Sequence, residues 1–319
     1  MQYLTELMNS INAIVWGVPM IVLILGTGLF LQIRLGFMPI FKIGHGFRMI
    51  MKGRVRDGNA AGEITPFAAL MTCLSATVGT GNIAGVATAI AVGGPGALFW
   101  MWMTALVGMA TKYGEVVLAV KYREFDAKGE LAGGPMYAIR NGLGKNWRWM
   151  ATAFAVFGGL AGFGIGNMVQ ANGIASAINN AFGTPEWVTG VILVVLTGLV
   201  VLGGIRRIGA VAELLVPAMC VGYVLCALVV LFVFAERIPA SLQLIFTHAF
   251  TPVAASGGFL GSTVLLAMQK GVARGIFSNE AGLGTAGIAQ AAGASSQPVH
   301  SGLIGMMGTF IDTIIVCSA

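Results

Sequence analysis

The chain has 319 residues, of which 57% are hydrophobic and 9% charged, with 47 glycines and a formal net charge of +6. A soluble globular protein carries roughly 25% charged residues, so this chain lacks the means to wet its own surface. That composition excludes disorder, collagen and a secreted disulfide scaffold, argues against a soluble enzyme, and leaves a membrane protein. The mean hydropathy of +0.86 agrees. Cys73, Cys220, Cys226 and Cys317 all lie in apolar stretches, and the histidines are His45, His248 and His300 alone. No metal-ligand or disulfide spacing connects them, so the cysteines read as small apolar fillers.

A span needs roughly 20 mostly apolar residues, and that rule marks eight segments in chain order. The first, 14–33, has no Lys or Arg before Arg34 and no small-residue cleavage site, so it reads as a retained helix and not a signal peptide. A basic loop follows, with Lys42, Arg48, Lys52, Arg54 and Arg56. The second span, 67–92, has the run Thr77-Val78-Gly79-Thr80-Gly81-Asn82 at its centre, where contiguous glycines and polar groups make unwinding cheap. The third is 97–120, and a second basic loop with Lys121, Arg123, Lys128, Arg140, Lys145 and Arg148 comes after it. The fourth, 151–178, has Gly158, Gly162 and Gly166 at the spacing of a close helix-packing face. It also places Asn167 and Gln170 three residues apart on one helical face. The fifth and sixth, 186–204 and 208–234, are joined across Arg206 and Arg207. The seventh, 259–291, contains Phe277-Ser278-Asn279-Glu280-Ala281-Gly282-Leu283-Gly284 and reads as broken at Phe277 and Ser278. The eighth, 301–319, carries Asp312.

Alternate loops hold 14 of the 18 basic residues. Cytoplasmic loops collect Lys and Arg, so the basic loops are expected in the cytoplasm and the N-terminus outside a multi-pass cell membrane protein. The net charge therefore implies no nucleic-acid partner. Asn82-Ile83-Ala84-Gly85-Val86-Ala87-Thr88-Ala89 can be laid over Asn279-Glu280-Ala281-Gly282-Leu283-Gly284-Thr285-Ala286, with Asn, Ala, Gly, Thr and Ala coinciding. If every span crosses, these two segments run in opposite directions. Glycine-broken segments of opposite orientation point to an inverted-repeat carrier with its site where the breaks meet. Close packing through small residues is the alternative.

The run Pro95-Gly96-Ala97-Leu98-Phe99-Trp100-Met101-Trp102, continuing through Gly108-Met109-Ala110-Thr111-Lys112-Tyr113, closely resembles the signature of the alanine/glycine:cation symporters. Thr77–Ala87, Gly133-Gly134-Pro135-Met136-Tyr137 and Gly271–Gly284 are similar to motifs of the same family. The resemblance covers the whole chain. It implies an all-α transmembrane, leucine-transporter-like inverted-repeat fold, with 14–33 as an extra first helix, 67–234 as the first five-helix repeat and 259–319 as the start of the second. It also implies eleven spans, so the chain is expected to be truncated after its eighth. The function implied is sodium-driven symport of alanine and glycine by alternating access, with Na+ as coupling ion and no tightly bound cofactor.

A zwitterionic amino acid needs donors for its carboxylate and acceptors for its ammonium. Half-helix N-termini supply the first, so the backbone of Gly79, Thr80 and Gly81 is expected at the carboxylate. Phe277 is expected as a wall limiting side-chain size, with core packing as the alternative, and Ser278 as a polar contact. Gln170 offers an amide to either end of the substrate, or to a neighbouring helix. The leucine-transporter likeness puts the carbonyls of Ser75 and Val78 at one sodium and the Asn82 side chain near another. Asp312 is a candidate to compensate sodium charge, since ionisable groups inside spans are functional candidates. Glu280 is a candidate to fix the two half-helices, while Glu115 and Glu213 read as structural. Lys270 and Arg274, four apart, read as a gate or as partners of acids. Another small-solute:cation carrier is the nearest alternative. A membrane protease would need a buried Ser/His pair or His-Glu-x-x-His, and a channel would need polar rings from several subunits. Oligomeric state is not legible here.

Overall fold

Long apolar stretches form helices because lipid offers the backbone no hydrogen-bond partner, and most of this chain is helical, including a stretch with Pro217 inside it. The computed structural model describes residues 2–55, 60–252 and 263–319. Arg56 of the first basic loop and residues 259–262 of the seventh predicted span lie outside the described residues.

Helix α1, Gln2–Val15, precedes α2, Val18–Arg34, in which Pro19 sits in the first turn. The predicted first span is thus α2, and an additional helix stands before it. The span rule misses α1 because its apolar residues Leu7, Met8, Ile11, Ile14 and Val15 recur at helical spacing among polar ones. The first basic loop is itself helical, as α3, Met38–Phe41, and α4, Ile43–Lys52.

The second span divides into α5, Pro66–Thr77, and α6, Val86–Gly93, which meet at a 54° bend. Thr65 caps α5 by accepting the Ala68 N–H at 3.0 Å, with Pro66 at the first helical position. The unbroken α7, Gly96–Lys121, is the pillar of the fold. After it come a two-stranded hairpin, β1 Glu124–Phe125 and β2 Leu131–Ala132, and α8, Pro135–Gly142. The fourth span is α9, Arg148–Phe163, and α10, Val169–Phe182, joined through a π-helical turn at Gly164–Met168. The fifth and sixth are α11, Glu186–Val201, and α12, Gly204–Val233. Then follow α13, Ile238–His248, and the broken seventh span, α14, Val264–Asn279, and α15, Thr285–Ala291. The last is α16, Pro298–Thr309, running into a π-helical segment at Phe310–Val316.

Among the described residues, four unbroken helices are long and apolar enough to cross a bilayer, and the bent pair makes a fifth; α2 and α11 are shorter apolar helices. In a bilayer, helices associate through close packing of small residues, and α7 is surrounded in that way. A Cβ at Gly305 of α16 would lie 2.6 Å from Val116 Cγ2, and one at Gly275 of α14 would lie 3.1 Å from Thr104 Cβ. The core between these helices holds Leu70 and Leu74 from α5, Met109 from α7, and Met306 and Met307 from α16. In contrast, Gly158, Gly162 and Gly166 face no neighbouring helix among the described residues, so their expected close packing is not observed.

The two broken spans pack head to tail: α5 lies against α15 and α6 against α14. They are therefore antiparallel, with their breaks side by side.

Candidate functional site

At the first break the backbone leaves the helix at Val78 (φ −80°, ψ 109°) and re-enters through a π-helical turn at Gly81–Gly85. Two side chains hold the free N–H groups there. Gly79 N–H donates to Asn82 Oδ1 at 2.8 Å. Thr80 donates twice to Gln170 Oε1 on α10, from its N–H at 3.2 Å and its hydroxyl at 2.8 Å. Glycine allows this approach, because a Cβ on Gly79 would lie 2.9 Å from that oxygen. The amide oxygen thus rests on donors of the kind a substrate carboxylate needs.

The second break differs from its expected position. Helix α14 continues past Phe277 and Ser278 to Asn279, and the chain turns at Glu280 (φ 54°), Gly282 (φ 97°) and Gly284 (φ 78°). The left-handed turn, which opens on Glu280 and continues through two glycines that adopt it without penalty, sets the break two to three residues later than the polar pattern implies. Asn279 bridges it, accepting Ala281 N–H at 2.9 Å and donating to Thr313 Oγ1 at 3.0 Å. Glu280 accepts the Thr285 hydroxyl across the turn. Glu115 of α7 accepts Gly284 N–H at 3.1 Å, so its partner is main chain.

Between the breaks lies a buried polar cluster. Asp312 has 0% of its surface exposed, Ser278 1% and Asn82 2%. Asn82 Nδ2 donates to Asp312 Oδ1 at 2.8 Å; Asp312 Oδ2 accepts Ser278 Oγ at 2.8 Å and Thr313 Oγ1 at 3.1 Å. Cys317, expected to be an apolar filler, joins them, its Sγ lying 3.2 Å from Asn82 Nδ2 and 3.3 Å from Ser278 Oγ. Asp312 meets no basic side chain within ion-pair distance among the described residues. A buried carboxylate whose partners are neutral is electrostatically incomplete, and its neighbouring oxygens are the hard donors that alkali and alkaline-earth cations prefer.

A cavity of about 820 Å³ opens beside this cluster, between α6 and α14. Thr80, Gly81 and Phe277 lie at its wall, together with Thr88, Lys270 and Arg274. A Cβ on Gly81 would stand 3.7 Å from the Phe277 ring, so the first break and the aromatic face each other. Gly79, Gln170 and Ser278 do not line the cavity; Gln170 stands behind Thr80, and Ser278 turns into the Asp312 cluster. Ser75 is exposed on α5, its hydroxyl donating to Thr72 O at 2.7 Å, while Val78 is buried in the core. Neither meets the Asp312 cluster. Asn167 is exposed in the π-helical turn of the fourth span, and Glu213 lies on α12.

On the opposite side of the breaks the chain is tied together beside a second cavity of about 440 Å³, lined by Glu63, Cys73, Ile205, Glu280 and Thr285. Ile64 pairs with Gly293 as a short parallel bridge, joining the chain before α5 to the chain after α15. The Arg123 guanidinium clamps the joint by donating to the carbonyls of Ala61, Ala291, Gly293 and Ser295 at 2.8–2.9 Å. Arg206 of α12 reaches Glu63 at 3.7 Å, and Ile64 packs against Gly209. Nearby, the hydrogen bonds from Arg140 and Asn141 hold the Glu124 carboxyl of β1 below the usual carboxylate range. None of these ties was read from the sequence, because Arg123's partners are backbone carbonyls distant in the chain.

Comparison with known proteins follows from this geometry. The family described as "Sodium:alanine symporter family" matches residues 1–319. An uncharacterized transporter of Haemophilus influenzae is 50% identical over 98% of this chain and 68% of its own length. The sodium/alanine symporter AgcS of Methanococcus maripaludis is 49% identical over 98% of this chain and 68% of its own length. The putative sodium/proton-dependent alanine carrier protein YrbD of Bacillus subtilis is 42% identical over 99% of this chain and 63% of its own length. The chain thus spans about two thirds of the length of these relatives.

Proposed function

We propose, because the chain belongs to the sodium:alanine symporter family, that it carries the substrate and sodium sites of a symporter for alanine and glycine. A member of this family is a multi-pass membrane transporter and not an enzyme. Sodium is then a co-transported substrate and not a resident cofactor. The reading rests on one observation above others: two antiparallel broken helices bring Asn82 and Ser278 against the buried Asp312 of the segment after α16, beside a cavity faced by Thr80, Gly81 and Phe277.

In this scheme α2 is the extra first helix, 67–234 forms the first repeat, and 259–319 opens the second, in a leucine-transporter-like arrangement. The basic loops face the cytoplasm, and the 820 Å³ cavity faces outward. The substrate carboxylate displaces Gln170 Oε1 from Thr80 and Asn82 Oδ1 from the Gly79 N–H, with Gln170 then turning its amide to the substrate. Phe277 closes the space around a side chain no larger than a methyl group. Sodium binds at Asp312 with Ser278, and the Asn82 amide turns its oxygen from the Gly79 N–H toward the ion, which supplies the positive charge the cluster lacks. The Ser75 and Val78 carbonyls serve a second ion whose other donors come from outside these spans. Alternating access then consists of closing the cavity over α6 and α14 and parting α5 and α15 from α12, where Glu63 now holds Arg206.

Equilibrium binding of labelled alanine tests this reading. Sodium should raise the affinity for alanine, and glycine but not leucine should compete for the sodium-dependent component. An affinity unchanged by sodium, or equal competition by leucine for that component, would overturn the proposed sites.

A further inference from the structure

Lys270 and Arg274 are left unused by this mechanism. They lie four residues apart on α14, which places them on one face, where like charges repel. Both line the 820 Å³ cavity, whose lining includes no Asp or Glu among the described residues. Among the described residues neither makes an ion pair. Arg274 is held in place all the same. Its guanidinium carbon lies 5.1 Å from the Phe277 ring centroid, and on its other side a Cβ on Gly85 would meet Nη1 at 2.5 Å. The planar fork is therefore sandwiched between an aromatic face and a bare stretch of backbone, with no hydrogen-bond acceptor for its donors among the described residues. Such a fork matches a carboxylate in two parallel hydrogen bonds. A cavity of one charge sign with low-dielectric walls also concentrates the opposite charge.

We propose that this cavity contains a carboxylate-binding site distinct from the break at Gly79–Gly81, formed by Arg274 with Lys270. It holds the carboxylate of an incoming amino acid, or of any small monocarboxylate, without sodium. The identity of the physiological ligand rests on the symport reading; the site itself does not. Two cations in the approach would repel sodium, so the site also implies that the substrate carboxylate is seated between them and the ion path before or together with ion arrival.

The test is charge-selective labelling of Thr88→Cys, a cavity-lining position of α6 outside the site, in reconstituted protein without sodium. The same protein without the added cysteine sets the baseline. Relative to a free thiol, an anionic methanethiosulfonate should react at least about tenfold faster than a cationic one. The preference should fall toward unity in Lys270→Gln/Arg274→Gln, and partly in Lys270→Gln alone should the double variant fail to fold. Potassium propionate should slow labelling more than potassium chloride at equal ionic strength. Equal or faster reaction of the cationic reagent overturns the proposal, as does equal protection by chloride and propionate. In transport, Arg274→Gln should raise the KM for alanine about tenfold with kcat within twofold, whereas a fall in kcat at unchanged KM would make Arg274 a gate and refute the site. If the anionic preference holds while alanine uptake needs no sodium, it is the symport reading that has failed and this site stands.

Discussion

Replacing Asp312 by asparagine separates charge from shape at the centre of the proposed ion site. The side chain is fully buried, accepts from Asn82 and Ser278 at 2.8 Å each, and has no cationic partner among the described residues. Asparagine fills the same volume and keeps one acceptor oxygen. A unit charge about 4 Å from sodium contributes about 4 kcal/mol at an effective dielectric near 20. If the remaining amide oxygen retains half of that attraction, the loss is about 2 kcal/mol, or about 30-fold in sodium affinity. Without sodium the variant should be as stable as the parent or more so, because an unpaired buried charge has been removed. Two measurements read this: sodium titration of alanine binding, and melting temperature against sodium concentration, since a ligand bound only by the native state raises stability with its concentration. The expected result is a weakened sodium dependence with an undiminished sodium-free melting temperature. Sodium affinity within twofold of the parent would refute the placement of the ion at Asp312.

Gly81→Leu should abolish alanine binding while leaving the fold intact, because the added side chain projects toward the Phe277 ring 3.7 Å beyond its Cβ; unchanged affinity in a calorimetric titration would move the substrate elsewhere. Arg123→Gln should lower the melting temperature by the equivalent of about 3 kcal/mol, since four carbonyls lose a charged donor; a drop indistinguishable from zero would show the clamp to be idle. A reporter fused after Arg54 should read cytoplasmic, and an external signal there would invert the proposed topology.

Sequence reasoning was most effective where local chemistry alone decides structure. The run Val78-Gly79-Thr80-Gly81-Asn82 carries its break in its own glycines and polar side chains, and the bend falls there. Asn82 and Asp312, chosen separately as ion candidates, share a hydrogen bond. What was missed depends on partners distant in the chain or on main-chain atoms. The partner of Glu115 was not legible because it is the amide of Gly284, and Cys317 passed for a filler because its polar neighbours, Asn82 and Ser278, come from two other segments. The position of the seventh-span break was legible in principle. Glycines just beyond the last helical residue mark a C-terminus, and Gly282 and Gly284 do so here, whereas weighting Phe277 and Ser278 set it too early. Helix α1 escaped because a span rule counts apolar residues and does not weigh their period.

The most direct test of the central claim is alanine uptake by the reconstituted protein under an imposed inward sodium gradient. The account predicts accumulation above the external concentration that collapses when potassium replaces sodium on both sides. Equal accumulation with potassium on both sides would contradict it.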